Sequence, residues 1–147
     1  MLLRLNDGAI VVKRYLSEMK KLLSIFLVLG LAASVALAQS TEETVSAAIK
    51  VGNYKELSKH FDTKVELNIA SKEDSYSKAQ AELIVKDFFA KEKVTAYTVI
   101  HRGKSPDGAK YAIGTLQTSV GKYRTYILTK DVGGKARIQQ LRIEAND

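Results

Sequence analysis

The chain has 147 residues, 23 Lys and Arg against 16 Asp and Glu for a net charge of +7, two histidines and no cysteine. Without cysteine there can be no disulfide and no metal–thiolate centre. His60 and His101 fall in different predicted elements, which argues against metal catalysis by histidine.

The first eighteen residues carry both signs of charge and mixed polarity, so they fit no part of a targeting signal and are read as arising from an upstream start. Residues 19–38 follow, "MKKLLSIFLVLGLAASVALA", with the three parts of a secretory signal. Lys20 and Lys21 give a basic end, Leu22 to Val35 is almost wholly apolar, and Ala36-Leu37-Ala38 is a small-x-small cleavage site. A spanning helix needs about twenty apolar residues. The run from Leu22 to Ala38 is marginal at that length and ends in small residues, so cleavage after Ala38 is expected, with no stable membrane span afterwards. The product expected is soluble, in the periplasm or outside the cell, with no cysteine at the cleavage point to take a lipid.

Residues 39–147 are read as one domain, large enough to hold a core without staples. Ser40 with Glu43 forms a capping box, and Val45, Ala48 and Ile49 recur at helical spacing until Gly52. Asn53 with Glu56 opens a shorter helix whose Leu57 and Phe61 share a face. "VELNI", Val65 to Ile69, alternates as a half-buried strand does. Ser77 with Gln80 is a third capping box; its helix runs to about Lys91, burying Ala81, Ile84, Val85 and Phe88, with Lys78, Glu82, Lys86 and Glu92 in water.

Beyond Lys93 the pattern becomes "TAYTVIHR", "YAIGTLQT", "YRTYILTK" and "ARIQQLRIE", joined by "SPDG", "SVGK" and "DVGGK". Short glycine-containing joints predict a four-stranded antiparallel meander. Two to three helices packed on one face of a curved antiparallel sheet give an α+β domain.

Counting outward from the turns puts Ile100, Ala112, Gly114, Leu116, Ile127, Leu141 and Ile143 on the face that receives the helices. The opposite face carries Tyr97, His101, Tyr111, Arg124, Tyr126 and Arg142, with Val99, Ile113 and Leu128 among them. Tyr and Arg are enriched at interfaces because they combine area with polar tips, although tyrosine is also a good strand former. These six residues are the candidates for a ligand or interface surface. Charge points the same way: residues 39–92 carry eight lysines against ten acids, whereas 93–142 carry ten Lys and Arg against Asp107 and Asp131 alone. Such a half favours anionic partners, an acidic glycan, a lipid head group or an acidic protein; no motif specifies nucleic acid.

Chemistry has little purchase. There is no G-x-S-x-G turn, and Gly133-Gly134-Lys135 lacks the spacing of a phosphate-binding loop. A general acid/base pair could be assembled from His101 or Glu66 with Tyr76 or Tyr111 in an apolar pocket, which makes Glu66 and Tyr76 the pocket candidates. No catalytic residue, metal or cofactor is assigned.

The segments "AAIKVGNYKELSKHFDTKVELNI", "YSKAQAELIVKDFF", "YAIGTLQT" and "IQQLRIE" resemble a family of small exported bacterial domains of unknown function. That family lies within the nuclear-transport-factor-2-like, or cystatin-like, superfamily. The resemblance implies a cone-shaped fold, a curved sheet wrapped on helices, often with a pocket between them and sometimes dimerisation through the outer sheet face. Enzymes of the superfamily, such as steroid isomerases, keep acid/base residues in that pocket. The first expectation is an exported, non-catalytic binding or interaction domain; the alternative is a small pocket enzyme, an isomerase, dehydratase or hydrolase.

Overall fold

A computed structural model describes residues 4–32, 40–70 and 72–146. The chain divides into two compact units, Met1–Ala38 and Gln39–Asp147. The first contains helix α1, Arg4–Ala32, which runs without a break through Met19. The segment read as an upstream start and the basic-apolar run after it are therefore one helix over that range. The cleavage motif at Ala36 to Ala38 lies outside the described residues. No helix among the described residues is long and apolar enough to cross a membrane.

In the second unit all three helix starts lie where the sequence placed them. Ser40 caps α2, Thr41–Lys50, with Glu43 returning the bond, and Ser77 caps α4, Lys78–Lys91, with Gln80 doing the same. Asn53 accepts from the Glu56 N–H at the start of α3, Tyr54–Lys59. Each cap satisfies backbone donors that the first turn leaves unpaired. Leu57 is buried on α3, but Phe61 belongs to the strand that follows.

The strands are β1 Phe61–Ile69, β2 Lys72–Ser77, β3 Val94–Lys104, β4 Lys110–Thr118, β5 Lys122–Val132 and β6 Lys135–Ala145. They form one sheet in the order β2-β1-β6-β5-β4-β3. The predicted meander is present as β3 to β6, antiparallel throughout. The last turn is the two-residue type that matches strand twist, with Gly133 and Gly134 both at positive φ between the Val132–Lys135 pair. Two features go beyond the sequence reading. Strand β1 lies parallel to β6, and the polar segment Lys72–Ser77 is an edge strand antiparallel to β1, so the sheet is mixed and six-stranded.

One face of this sheet meets α2, α3 and α4. Val65, Leu67 and Ile69 of β1 join Leu116, Ile127, Leu141 and Ile143 in a core sealed by Ile49, Leu57, Val85 and Phe88. Ile84 is half-buried beside it. Glu82 and Glu92, expected in water, are half-buried because each has a partner. Glu82 accepts from the Ser58 hydroxyl at 2.9 Å, and Glu92 from Thr118 at 3.0 Å.

The face assignment needs correction on β3. A bulge falls between the pairs Val99–Gly114 and His101–Ile113, and Ile100 is the extra residue. One inserted residue reverses the alternation. Tyr97 and Val99 therefore point to the helices while His101 points away. Tyr97 is 8% exposed in the core, and its ring lies over Gly114 with the hydroxyl 3.4 Å from Thr125 Oγ1. Burial holds its phenol above the usual range, opposed by the Thr125 contact. Ile100, assigned to the covered face, is 64% exposed.

Candidate functional site

The face turned away from the helices carries five of the six predicted surface residues, Tyr97 being the exception. Register fixes their neighbours. His101 sits across from Ile113, Tyr111 from Leu128, Ile113 from Tyr126, and Tyr126 from Arg142. A row forms: His101 Nε2 lies 3.3 Å from the Tyr111 hydroxyl, and the Tyr111 and Tyr126 rings stack with centroids 6.0 Å apart at 20°. Tyr126 then borders Arg142, whose other cross-strand neighbour is Asn68. Gly103, opposite Tyr111, is what lets the ring lie flat, since a Cβ there would meet Tyr111 Cζ at 2.5 Å and Cε1 at 2.7 Å. Arg124 stands on the same face, between Thr115 and Glu144. The tyrosines, Ile113, Leu128 and Arg142 are half-buried, while His101 and Arg124 are exposed.

Electrostatically this face is mixed rather than uniformly basic. Glu66, Glu73 and Glu144 share it through the pairs Glu66–Gln140, Asn68–Glu73 and Arg124–Glu144. Several cations of the basic half are turned elsewhere. Arg102 and Lys110 flank Glu42 at 3.8 and 3.6 Å, Lys130 meets Asp107 at 3.4 Å, and Arg137 donates to the Lys59 carbonyl at 2.8 Å. The charge excess read from sequence is thus partly spent tying the sheet to the helices. A run of residues with one sign says nothing about which face each side chain takes.

The pocket candidates do not converge. Tyr76 pairs with Val65 and packs against the core, whereas Glu66, one residue on, is on the opposite face. His101 and Glu66 share a face but are four strand spacings apart, about 19 Å. The concave side of the sheet is filled by Tyr97, Leu116 and the helices. The clefts that remain are shallow. One of 270 Å³ lies at the rim between Thr41, Glu42, Lys110 and Lys130, and one of 160 Å³ by Ile69, Ile84 and Glu92. A third, of 210 Å³, is on the outer face between Glu66, Asn68, Glu73, Ser75 and Arg142. No group of three or more His, Cys, Asp or Glu among the described residues is arranged to hold a metal ion.

Sequence reasoning missed two arrangements. Glu92 joins Thr118 and Tyr123 where α4 ends, and the Tyr123 phenol is pushed up to about 12 by its hydrogen bond to Glu92, by burial and by that carboxylate's charge. The groove around Arg142 was also missed, because three of its seven lining residues, Glu73, Asp74 and Ser75, come from the unpredicted strand β2.

Helices capped in this order against one curved sheet define an α+β domain with a nuclear-transport-factor-2-like fold. A structure described as "Rd1NTF2_04 with long sheet" shares that fold at a TM-score of 0.53 and 18% identity, over 69% of this chain and 94% of its own. Residues 42–144 match the family described as Domain of unknown function (DUF4783), and the chain belongs to it. A family member from Bacteroides uniformis is 36% identical, covering 74% of this chain and 99% of its own at a TM-score of 0.70. Another, from Bacteroides fragilis, is 34% identical over 70% and 96% at 0.66. No curated protein matches the chain.

Proposed function

We propose that this chain is an exported, non-catalytic interaction domain that binds its partner through the outer sheet face. The observation that carries the reading is the row His101–Tyr111–Tyr126–Arg142, flanked by Arg124, on a face that none of α2 to α4 covers. Half-buried tyrosines beside arginine and aliphatic Ile113 and Leu128 are the composition of a docking surface. Arg124 and Arg142 share the face, which supports an anionic group on the partner, such as a glycan, a lipid head group or an acidic protein. The carboxylates Glu66, Glu73 and Glu144 beside them favour a partner of mixed charge over a uniformly anionic polymer. A homodimer through this face is one form the interaction can take. Support for export rests on the basic, apolar and small-residue pattern of residues 19–38.

The test is the double variant Arg124→Glu/Arg142→Glu of the full chain. Binding to an acidic polysaccharide, to vesicles containing anionic lipid and to itself is measured beside the wild type. Loss of at least one interaction is expected; binding unchanged in all three overturns the docking face. N-terminal sequencing after expression in a bacterial host tests export, with Gln39 the expected first residue.

A further inference from the structure

Helix α1 has two chemically distinct sides, and both run unbroken through Met19. At about 3.6 residues per turn, Val12, Tyr15, Leu16, Met19, Leu22 and Leu23 fall on one side. Lys13, Arg14, Ser17, Glu18, Lys20 and Lys21 fall on the other. On that polar side Lys21 Nζ pairs with Glu18 at 3.0 Å, and the Ser17 hydroxyl donates to the Arg14 carbonyl at 2.8 Å. The apolar stripe keeps its helical period across Met19, so the residues before it and after it share one face. A leader translated only by accident of an upstream start has no reason to hold that phase.

Every side chain of the stripe is 49–73% exposed. A contiguous apolar surface of this kind marks a site of interaction. Its partner is indicated by the charges. Residues 8–24 carry Lys13, Arg14, Lys20 and Lys21 against Glu18 alone, a net +3, and all of it lies on the polar side. A second copy of the helix fits this poorly. The stripe spans about 120° of arc, wider than a two-stranded seam, and the positions flanking such a seam would hold Leu16 and Leu23 where paired opposite charges belong. A bilayer surface fits both sides at once. It takes a broad apolar face into the acyl boundary while lysine and arginine stems reach back to anionic head groups. Among the described residues no helix is long and apolar enough to cross a membrane, so α1 would lie along the surface.

We infer that in the full 147-residue chain α1 lies in the plane of a membrane surface rich in anionic lipid. Val12, Tyr15, Leu16, Met19, Leu22 and Leu23 enter the acyl boundary, and Lys13, Arg14, Lys20 and Lys21 meet the head groups. The stretch before Met19 is then a working part of the chain, adding lipid-facing area and two cations to the basic end formed by Lys20 and Lys21. The inference is independent of the sheet face proposed for docking.

The test is co-sedimentation of the full chain, made by cell-free synthesis, with vesicles of mixed phosphatidylglycerol and phosphatidylcholine and with vesicles of phosphatidylcholine alone. The anionic vesicles should bind at least ~10-fold more tightly, by a margin that shrinks as salt is added. Val12→Gln and Leu16→Gln should each weaken binding ~10-fold or more, since glutamine keeps the helix and removes a buried apolar group. Ile10→Gln is the control, because Ile10 falls on the polar side, and it should change binding less than ~2-fold. Lys13→Gln/Arg14→Gln should lose ~10-fold or more on anionic vesicles and little on phosphatidylcholine. The inference is overturned if the two vesicle types bind alike, if Ile10→Gln costs as much as Leu16→Gln, or if a chain lacking residues 1–18 binds as the full chain does. Self-association without vesicles that Leu16→Gln abolishes and Ile10→Gln keeps would assign the stripe to a second copy, and overturns it too.

Discussion

Replacing Gly114 by alanine places a methyl group between three atoms that have no slack. An ideal Cβ would lie 2.8 Å from Tyr97 Cε2, 2.9 Å from Thr125 Oγ1 and 2.9 Å from the Thr98 carbonyl oxygen. The last is backbone of the neighbouring strand and cannot rotate away, and the first belongs to a ring fixed in the core. A glycine-to-alanine change at a free site stabilises by about 0.4–1 kcal/mol through the unfolded chain, whereas overpacking a tight core costs about 1–3 kcal/mol. The net expectation for Gly114→Ala is a loss of about 1–2 kcal/mol, with the melting temperature falling by about 4–8 °C per kcal/mol in a domain of this size. Urea and thermal unfolding followed by circular dichroism measure it. Gly103→Ala is the control, since its new methyl meets only the far end of the Tyr111 side chain, which can swing out. Its stability cost should be smaller, while the Tyr111–Tyr126 stack is lost. Wild-type or higher stability for Gly114→Ala would refute the claim that Tyr97 packs inward over this glycine.

Three further outcomes are expected. Burial holds the His60 imidazole below its ordinary 6.5, helped by Arg137, Lys59 and Lys78 and opposed by Glu56, and its Nε2 is buried without a partner. The folded state therefore binds a proton less readily than the unfolded one. Stability is full above pH 6.5 and declines as pH falls below it, and His60→Asn should flatten that slope in denaturation measured from pH 7 to 5. Ultraviolet titration should show one tyrosine ionising near 12, and Glu92→Gln should return Tyr123 toward 10, since the carboxylate's hydrogen bond and charge both hold the proton. Ser77→Ala removes the acceptor for the Gln80 N–H and should cost about 1 kcal/mol in urea unfolding, with little change for Ser77→Asp.

The parts of the fold legible in the sequence are those governed by near neighbours. Ser40, Asn53 and Ser77 each act within three residues, so the helix starts could be read directly. Gly133-Gly134 likewise marks its own turn. Strand β2 escaped because "KEDSYS" is an exposed edge with no apolar alternation, stabilised by pairing to β1 rather than by burial. The outer face was legible for His101, Tyr111, Arg124, Tyr126 and Arg142 but not for Tyr97, because nothing in "TAYTVIHR" announces an extra residue at Ile100. The Arg142 groove was beyond reach altogether. It joins residues about seventy positions apart through β1 lying beside β6, and parallel pairing leaves no turn to read.

That same parallel contact orders events in time. Val65, Leu67 and Ile69 emerge from the ribosome early, yet their strand finds its inner neighbour only when Leu141 and Ile143 exist. Until β6 is made, β1 has only the polar strand β2 beside it, and the apolar half of the sheet has no floor. Contacts of such sequence separation form late and slowly. Apolar strands left exposed in this way are the kind of surface that aggregates and that a folding chaperone shields.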